Sequence, residues 1–455
     1  MTDLADHIES TAPGIPEPES AGPPTNPMRR LVIVVRADPV ICGHSGEARN
    51  LAEVALTRGY DDVRIVTWTI PALQESGLPL KPLDAVLPYS PGITVERPEP
   101  VGDYKVPDGR HLAGLVGRLV ELFTEGVPTT AMSLYLTPHA TVIADAVRIA
   151  KATGMCAPIT TIAEAVGSDV TNVVNTAVDQ GRFGAAAQVL TTYLDNDVCV
   201  AVSDYTKEVI VDAARRIDCR WGTSLGDACE ERIAVSYPAI DSRAFTDLDP
   251  AETRRRLAQR DLEPDGYVLF LSRLTKAKGV DDLINGFVMS AVQRRTKLVI
   301  CGNGPEAMAL RALAASTPAA DRIVFFDDVD DSEKPHLMAG SAVYALPSKP
   351  RPEFIETFGI ALTENLLACG GPVITCDTGG IPEAVGPYAT IVPTSHPMSI
   401  ANALNEIILG LSAGERRRAA TAARDWARRF DRTAVFDRLF ARLPETAGVE
   451  TTAAA

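Results

Sequence analysis

The sequence predicts an α/β protein built as two doubly wound domains facing a central cleft. Three observations carry this expectation. The chain has 455 residues, more than one hydrophobic core ordinarily serves, so two domains of roughly 200 residues are expected. From Arg30 onward, short β-branched runs alternate with amphipathic segments, the pattern of a parallel sheet wrapped by helices. After a proline-bearing crossing near Ala239 to Asp249 the same rhythm starts again.

Residues 1–28 open the chain with six prolines, five acidic residues and no lysine or arginine, a composition that predicts a disordered tail. They also lack the basic and apolar stretches of a signal peptide. The first domain is expected over 29–240. It begins with the strand "RLVIVV" and a helix in "EARNLAEVALTRG", where Ala48, Leu51, Ala52, Ala55 and Leu56 share one stripe and Gly59 ends it. The strand "DVRIVTW" follows. Pro71 to Asp108, rich in turn residues, reads as a long irregular excursion at a functional edge. Helices in "RHLAGLVGRLVELF", "ATVIADAVRIAKATG" and "DYTKEVIVDAARRI" then alternate with strands in "TAMSLYL", "DVCVAVS" and "IAVSYP".

The second domain, 241–412, is expected to contribute strands at "YVLFLS", "KLVICG", "RIVFF", "AVYALP", "PVIT" and "ATIVP". Residues 413–444 give one long helical reading that packs back across both halves, and 445–455 form a featureless tail. No apolar run approaches the ~20 residues that span a bilayer.

With 44 Lys+Arg against 59 Asp+Glu, the formal charge of -15 repels phosphate backbones and anionic lipid. Nucleic acid and stable membrane insertion are therefore not expected. The 8 cysteines form no CxxC and sit mostly in apolar strands, as reduced core residues of a cytoplasmic protein do. No acidic triad has metal-ligand spacing and the chain has only 6 histidines, so no essential metal or cofactor is expected.

The chemistry concentrates in "RPEFIETFGIALTENLLACGGPVITCDTGGIPEAVG". Glu356 and Glu364 are poorly spaced for a hydrolytic pair: eight helical steps span ~12 Å, against about 5–9.5 Å between glycosidase carboxylates. A better account places Glu356 on a loop, Phe358 and Gly359 at a helix mouth, and Glu364 about one turn into that helix. Amides at the mouth then hold a diphosphate while each carboxylate bonds hydroxyls beside it. "LFLSRLTKAKGV" adds Arg273 and Lys278 at a strand end, where cations meet phosphate in a parallel sheet. "ICGNGPE" is a glycine turn after another strand.

Taken in order, "SRLTKAKGVDDLINGF", "CGNGPE", "YALPS", "ETFGIALTENLLACGGPVIT" and "TGGIPEAVG" resemble the retaining glycosyltransferases of family 4, which have the GT-B fold of two Rossmann-like domains. The first domain is similar more loosely, through "HSGEARNLAEVALTRG", "VAVSDYTKEVI" and "SYPAIDSRAF". The resemblance implies that Arg273 and Lys278 neutralise a donor pyrophosphate. It implies that Glu364 bonds the nucleotide ribose, that Glu356 contacts the donor sugar near the reacting carbon, and that the amides of Phe358, Gly359 and Ile360 touch phosphate or sugar. Gly46 then matches the glycine that lets backbone approach the diphosphate and acceptor, and His139 the histidine that reaches the donor sugar. His44 and Ser45 fall beside the acceptor, with Ser45 standing where the family commonly has glycine. The segment "PSKPRPEFIETFG" is also longer than in many relatives.

The expected activity is transfer of a hexose-type sugar, with retention, from a nucleotide diphosphate sugar to a hydroxyl of a soluble small molecule. UDP is the expected nucleotide, ahead of GDP and ADP. The wording of the Glu356 segment is similar to enzymes acting on aminocyclitols and other secondary metabolites, such as those of antibiotic biosynthesis. A sugar-nucleotide epimerase, a transferase to nitrogen or sulfur, and a non-catalytic sugar-nucleotide-binding protein are the competing readings.

Overall fold

The computed structural model describes residues 28–444, except 104, 106–108 and 353. The two expected disordered tails thus lie outside the described residues, apart from Met28.

Two all-parallel sheets carry the fold. The first orders seven strands β3-β2-β1-β4-β5-β6-β7. They are β1 (Arg30–Val34), β2 (Asp62–Val66), β3 (Ile93–Glu96), β4 (Thr129–Leu134), β5 (Ile159–Ala165), β6 (Val198–Ala201) and β7 (Ile233–Val235). The second orders six strands β10-β9-β8-β11-β12-β13. They are β8 (Tyr267–Leu271), β9 (Lys297–Cys301), β10 (Ile323–Phe326), β11 (Val343–Leu346), β12 (Val373–Thr375) and β13 (Ala389–Ile391). Each sheet reverses direction beside its first strand, between β1 and β4 and between β8 and β11. These are the places where a doubly wound sheet opens a crevice at its strand ends.

All six expected strands of the second sheet are present. In the first sheet two strands appear that the pattern does not announce. β3 lies inside the stretch expected to be irregular; it is a half-buried edge strand of four residues, too short to show alternation. β5, "ITTIAEA", is buried almost throughout, yet its threonine and glutamate mask an apolar run. Thr161 is reconciled with that interior by its amide, which donates to Asp197 Oδ2 at 2.7 Å.

The second-domain core gathers Val268, Phe270, Phe287, Ile300, Tyr344 and Ile374 around one sheet. The first sheet is covered on both faces, by Leu51, Ala55 and Ile65 on one side and Leu115, Leu119 and Ile143 on the other. The C-terminal helical stretch divides in two. Ala413–Ala427 packs on the second domain, and Arg432–Phe440 buries Val435, Phe436 and Leu439 in the first. Three such side chains at about 1.5–3 kcal/mol each hold a helix too short to stand alone. The break comes at Asp431, whose carboxylate accepts from Thr433 N at 2.9 Å and starts the second helix.

Here the chain returns beside its first crossing. Ile240 N donates to Phe430 O at 3.0 Å and Arg432 N to Ile240 O at 2.8 Å. Phe430 meets Tyr237 edge-on with centroids 5.3 Å apart and Phe358 at 5.1 Å. Two crossings and one aromatic cluster therefore join the domains. Among the described residues, no helix is long and apolar enough to cross a membrane.

Candidate active site

The site is built where the two reversal points face each other. On the second domain, the chain leaves β8 into a loop bearing Arg273 and Lys278. The glycine turn after β9 presses on that loop: a Cβ at Gly304 would lie 2.3 Å from Leu274 O. Leu274 N also donates to Asn303 O at 2.8 Å, so "CGNGPE" fixes the backbone beside Arg273. Gly279, at φ +66°, lies so close to the loop after β11 that a Cβ would fall 2.1 Å from Pro347 O. That contact brings Lys278 against Glu356.

Lys278 Nζ donates to Glu356 Oε2, with the two side chains 8% and 12% exposed. The ammonium also stands 4.9 Å from the centre of the Phe354 ring. Glu356 is held from behind by "TGG". Gly380 N donates to Glu356 O at 3.0 Å, and Gly379, at φ +57°, leaves no room for a side chain, its Cβ position being 1.9 Å from that oxygen. The helix Ile360–Leu367 then begins behind Gly359, and Glu364 falls in its second turn. Its carboxylate accepts from Lys334 Nζ at 2.6 Å, a partner that sequence reading missed. Burial, then Glu364, then Glu356 push the Tyr344 phenol well up, so both carboxylates sit near that ring.

Among the described residues, the amides of Phe358 and Gly359 donate no hydrogen bond, and Ile360 heads its helix. The Phe358 side chain, by contrast, is 2% exposed and belongs to the interdomain aromatic cluster. The longer segment before Glu356 is pinned by Lys349, which bonds Asp281 Oδ2 at 2.9 Å and Asp282 Oδ2 at 2.8 Å.

The first domain faces this from the ends of β1 and β4. A Cβ at Gly43 would meet Ile360 Cδ1 at 2.8 Å, so this glycine is the one against the other domain. Gly46 opens on empty space, with nothing within 4 Å of a Cβ, and its role as a point of close approach is left to a ligand. Ser45, expected beside the acceptor, is 2% exposed and its buried hydroxyl has no hydrogen-bond partner among the described residues. His44 keeps part of its surface and is pushed down to about 3 by burial, then by Arg36 and by Arg273 from the opposite domain. His139, after β4, is 1% exposed, and neither ring nitrogen has a partner. Burial and then Arg36 hold its pKa well below the ordinary range. Both rings are therefore neutral at pH 7, hydrogen-bonding groups rather than cations.

Three further contacts close the cleft, and none was legible in sequence. Glu383 caps a first-domain helix: its Oε2 accepts from Asp204 N at 2.7 Å and its Oε1 from Tyr205 N at 3.0 Å. Thr357 Oγ1 donates to Val166 O at 3.1 Å. Lys81 Nζ bonds Asp331 Oδ2 at 2.6 Å. Beneath the acceptor side, Glu47 Oε1 accepts from Ala239 N at 2.9 Å and ties the helix Gly43–Leu56 to the crossing. Burial raises its carboxyl to about 7 and, together with the nearby Glu47, holds that of Glu164 well above the ordinary range.

Residues 253–426 match the family model described as glycosyl transferases group 1. A GDP-mannose-dependent alpha-(1-6)-phosphatidylinositol monomannoside mannosyltransferase of Mycolicibacterium smegmatis is 31% identical over 243 residues, 51% of this chain and 58% of that protein. A D-inositol 3-phosphate glycosyltransferase of Mycobacteroides abscessus is 30% identical over 210 residues, 44% of each chain. The chain thus spans about half the length of the curated relatives it matches. Among solved structures, Anabaena Alr3699/HepE in complex with UDP and glucose is similar with a TM-score of 0.64 at 17% identity, over 90% of this chain and 98% of that one. A sucrose-phosphate synthase from Thermosynechococcus elongatus gives 0.62 at 17%, over 91% and 98%. Likenesses at that identity concern the fold alone, which is GT-B.

Proposed function

We propose, for a chain whose residues 253–426 match the model of the group 1 glycosyltransferases, that it moves a hexose-type sugar from a nucleotide diphosphate sugar to a hydroxyl of a small acceptor, with the anomeric configuration retained. The observation that carries this reading is the juxtaposition, at the β8/β11 reversal, of Lys278 and the undonated amides of Phe358 and Gly359. Arg273, on the same loop, is near enough to His44 to help lower its pKa. Such a cluster offers an anionic leaving group preorganised donors in a partly dry cleft.

In this mechanism the bond from the anomeric carbon to the donor phosphate oxygen breaks as positive charge develops on the sugar. The acceptor oxygen bonds the same face, and its proton passes to the departing phosphate oxygen. Lys278, Arg273 and the helix-mouth amides meet the growing diphosphate charge, so no metal is assigned a part. Glu356, steadied by Lys278, addresses sugar hydroxyls; Glu364, steadied by Lys334, addresses the ribose; His139, as a neutral imidazole, hydrogen-bonds the sugar. Interdomain closure keeps water from intercepting the sugar.

The expectation of UDP meets a relative that is GDP-mannose-dependent, so GDP and UDP head the test. Thermal unfolding is followed with GDP, UDP, ADP and dTDP. The preferred diphosphate is expected to stabilise the protein by about 2.7 kcal/mol at 100 times its dissociation constant. If none of the four raises the midpoint, the reading fails.

A further inference from the structure

We propose that the buried carboxyls of Glu47 and Glu164 form a proton-dependent lock on the crossing between the two domains: the crossing is held while the pair keeps a proton and loosens when the pair loses it. The inference concerns a motion built into the fold and does not rest on the donor reading above. Glu47 lies in the first turns of the helix Gly43–Leu56 and is 3% exposed; Glu164 lies near the end of β5 and is 1% exposed. Carboxyls this deep ordinarily face a cation. Among the described residues neither has an ion-pair partner, and Glu164 Oε1 has no hydrogen-bond partner. Two neighbouring buried carboxyls without a cation cannot both ionise as exposed ones do, so the pair gives up its protons in two separated steps.

What the pair holds is the crossing. Glu47 Oε1 accepts from Ala239 N at 2.9 Å, and Asn50 Nδ2, on the same helix, donates to Ala239 O at 2.9 Å. The next residue, Ile240, is the one bonded to Phe430 and Arg432 where the chain returns. The helix therefore grips the crossing where both connections between the domains meet, and it begins at Gly43, against Ile360 of the second domain. Glu164 has little freedom to yield: its strand is paired on both edges, with Leu134 of β4 and Val200 of β6 opposite it. Repulsion between two ionised carboxylates is thus relieved on the Glu47 side, by displacing the first turns of the helix and the Ala239 segment bonded to them.

The groups around the pair supply no balancing charge. Asp169, after β5, is a further acid facing Glu164 and is engaged by the amides of Leu136, Val166, Gly167 and Val170. Tyr193 spends its hydroxyl on Val200 O at 2.7 Å, and His139, from the turn after β4, is held neutral. On the helix itself, Arg49 bonds Asp38 Oδ2 at 2.9 Å and Glu53 accepts from Ser90 N at 3.2 Å. In β1 and β2, Arg30 pairs with Asp62 at 2.6 Å and Arg64 with Glu96 at 2.8 Å. From the helix Arg432–Phe440, Arg432 pairs with Asp241 at 3.2 Å, Asp437 with Arg58 at 2.7 Å, and Arg438 bonds Arg429 O at 2.7 Å. Burial raises the Glu47 carboxyl from an ordinary 4.5 to about 7. A carboxyl raised in the closed state holds that state fully below its exposed value, and the contribution is lost as pH climbs to the raised one, here between pH 4.5 and about 7.

Hydrogen exchange of the Ala239 amide, measured on the full chain without ligand and corrected for the intrinsic rate, tests the lock. Its protection is expected to fall at least about tenfold between about pH 5.5 and about pH 7.5 and to level off above. In Glu164→Gln, which keeps the shape and removes the repulsion, the fall should be less than about twofold. The β4 amides should stay better protected than Ala239 throughout, the mark of a local opening. The proposal is overturned if wild-type protection at Ala239 does not change with pH, if Glu164→Gln loses it as the wild type does, or if Ala239 is never less protected than β4. Should Glu164→Gln fail to fold, Glu47→Gln, whose side-chain carbonyl still accepts from Ala239 N, decides by the same outcomes.

Discussion

Replacing Lys278 with methionine is expected to lower kcat/KM by at least about 10³ and to cost about 3–5 kcal/mol of stability. The two losses have different origins. The catalytic one follows from removing a cation aimed at the leaving diphosphate. The structural one follows from the partner: Glu356 is 12% exposed, and without the lysine its carboxylate is a part-buried, uncompensated charge. The double variant Lys278→Met/Glu356→Gln separates them. Denaturant unfolding should show most of the stability restored, because the stranded charge is gone, while steady-state kinetics show activity still absent. Recovery of activity in the double variant would mean that the pair serves the fold alone.

Gly379→Ala should be nearly as damaging although it removes no functional group. The new Cβ would lie 1.9 Å from Glu356 O, and φ +57° is already unfavourable for alanine. Since the contact is with backbone, no rotamer relieves it, and the loop that carries Glu356 must shift. An unfavourable left-handed alanine costs about 1–2 kcal/mol, and a misplacement near 1 Å at a reacting centre costs about 10² in rate. Unfolding curves of this variant beside Gly46→Ala make the structural comparison direct, because a Cβ at Gly46 meets no protein atom within 4 Å. Wild-type kinetics in Gly379→Ala would show that the "TGG" turn does not set the position of Glu356.

The second domain was the more legible half for a physical reason. Strands buried on both faces appear as unbroken apolar runs such as "YVLFL" and "KLVIC", and the turns after them carry the chemistry at fixed offsets. Arg273, Lys278, Glu356 and Glu364 stand out as candidates that way, and the structure brings Lys278 onto Glu356. What remained hidden depends on contacts distant in sequence. Glu383 meets Asp204 across 179 positions, and Glu364 meets Lys334 across 30. No local pattern marks either pairing. The burial of Ser45 was hidden too, since it depends on which face the helix Gly43–Leu56 buries.

The central claim is that the second domain grips a diphosphate between two cations and a helix start. Calorimetric titration of the preferred nucleoside diphosphate and of its monophosphate, in wild type and in Arg273→Gln/Lys278→Gln, tests it most directly. With charge-assisted bonds contributing about 1.5–3 kcal/mol each, the diphosphate should bind the wild type at least about 100-fold more tightly than the monophosphate, and that preference should vanish in the double variant. Equal affinities in the wild type, or a preference that survives both substitutions, would contradict the account.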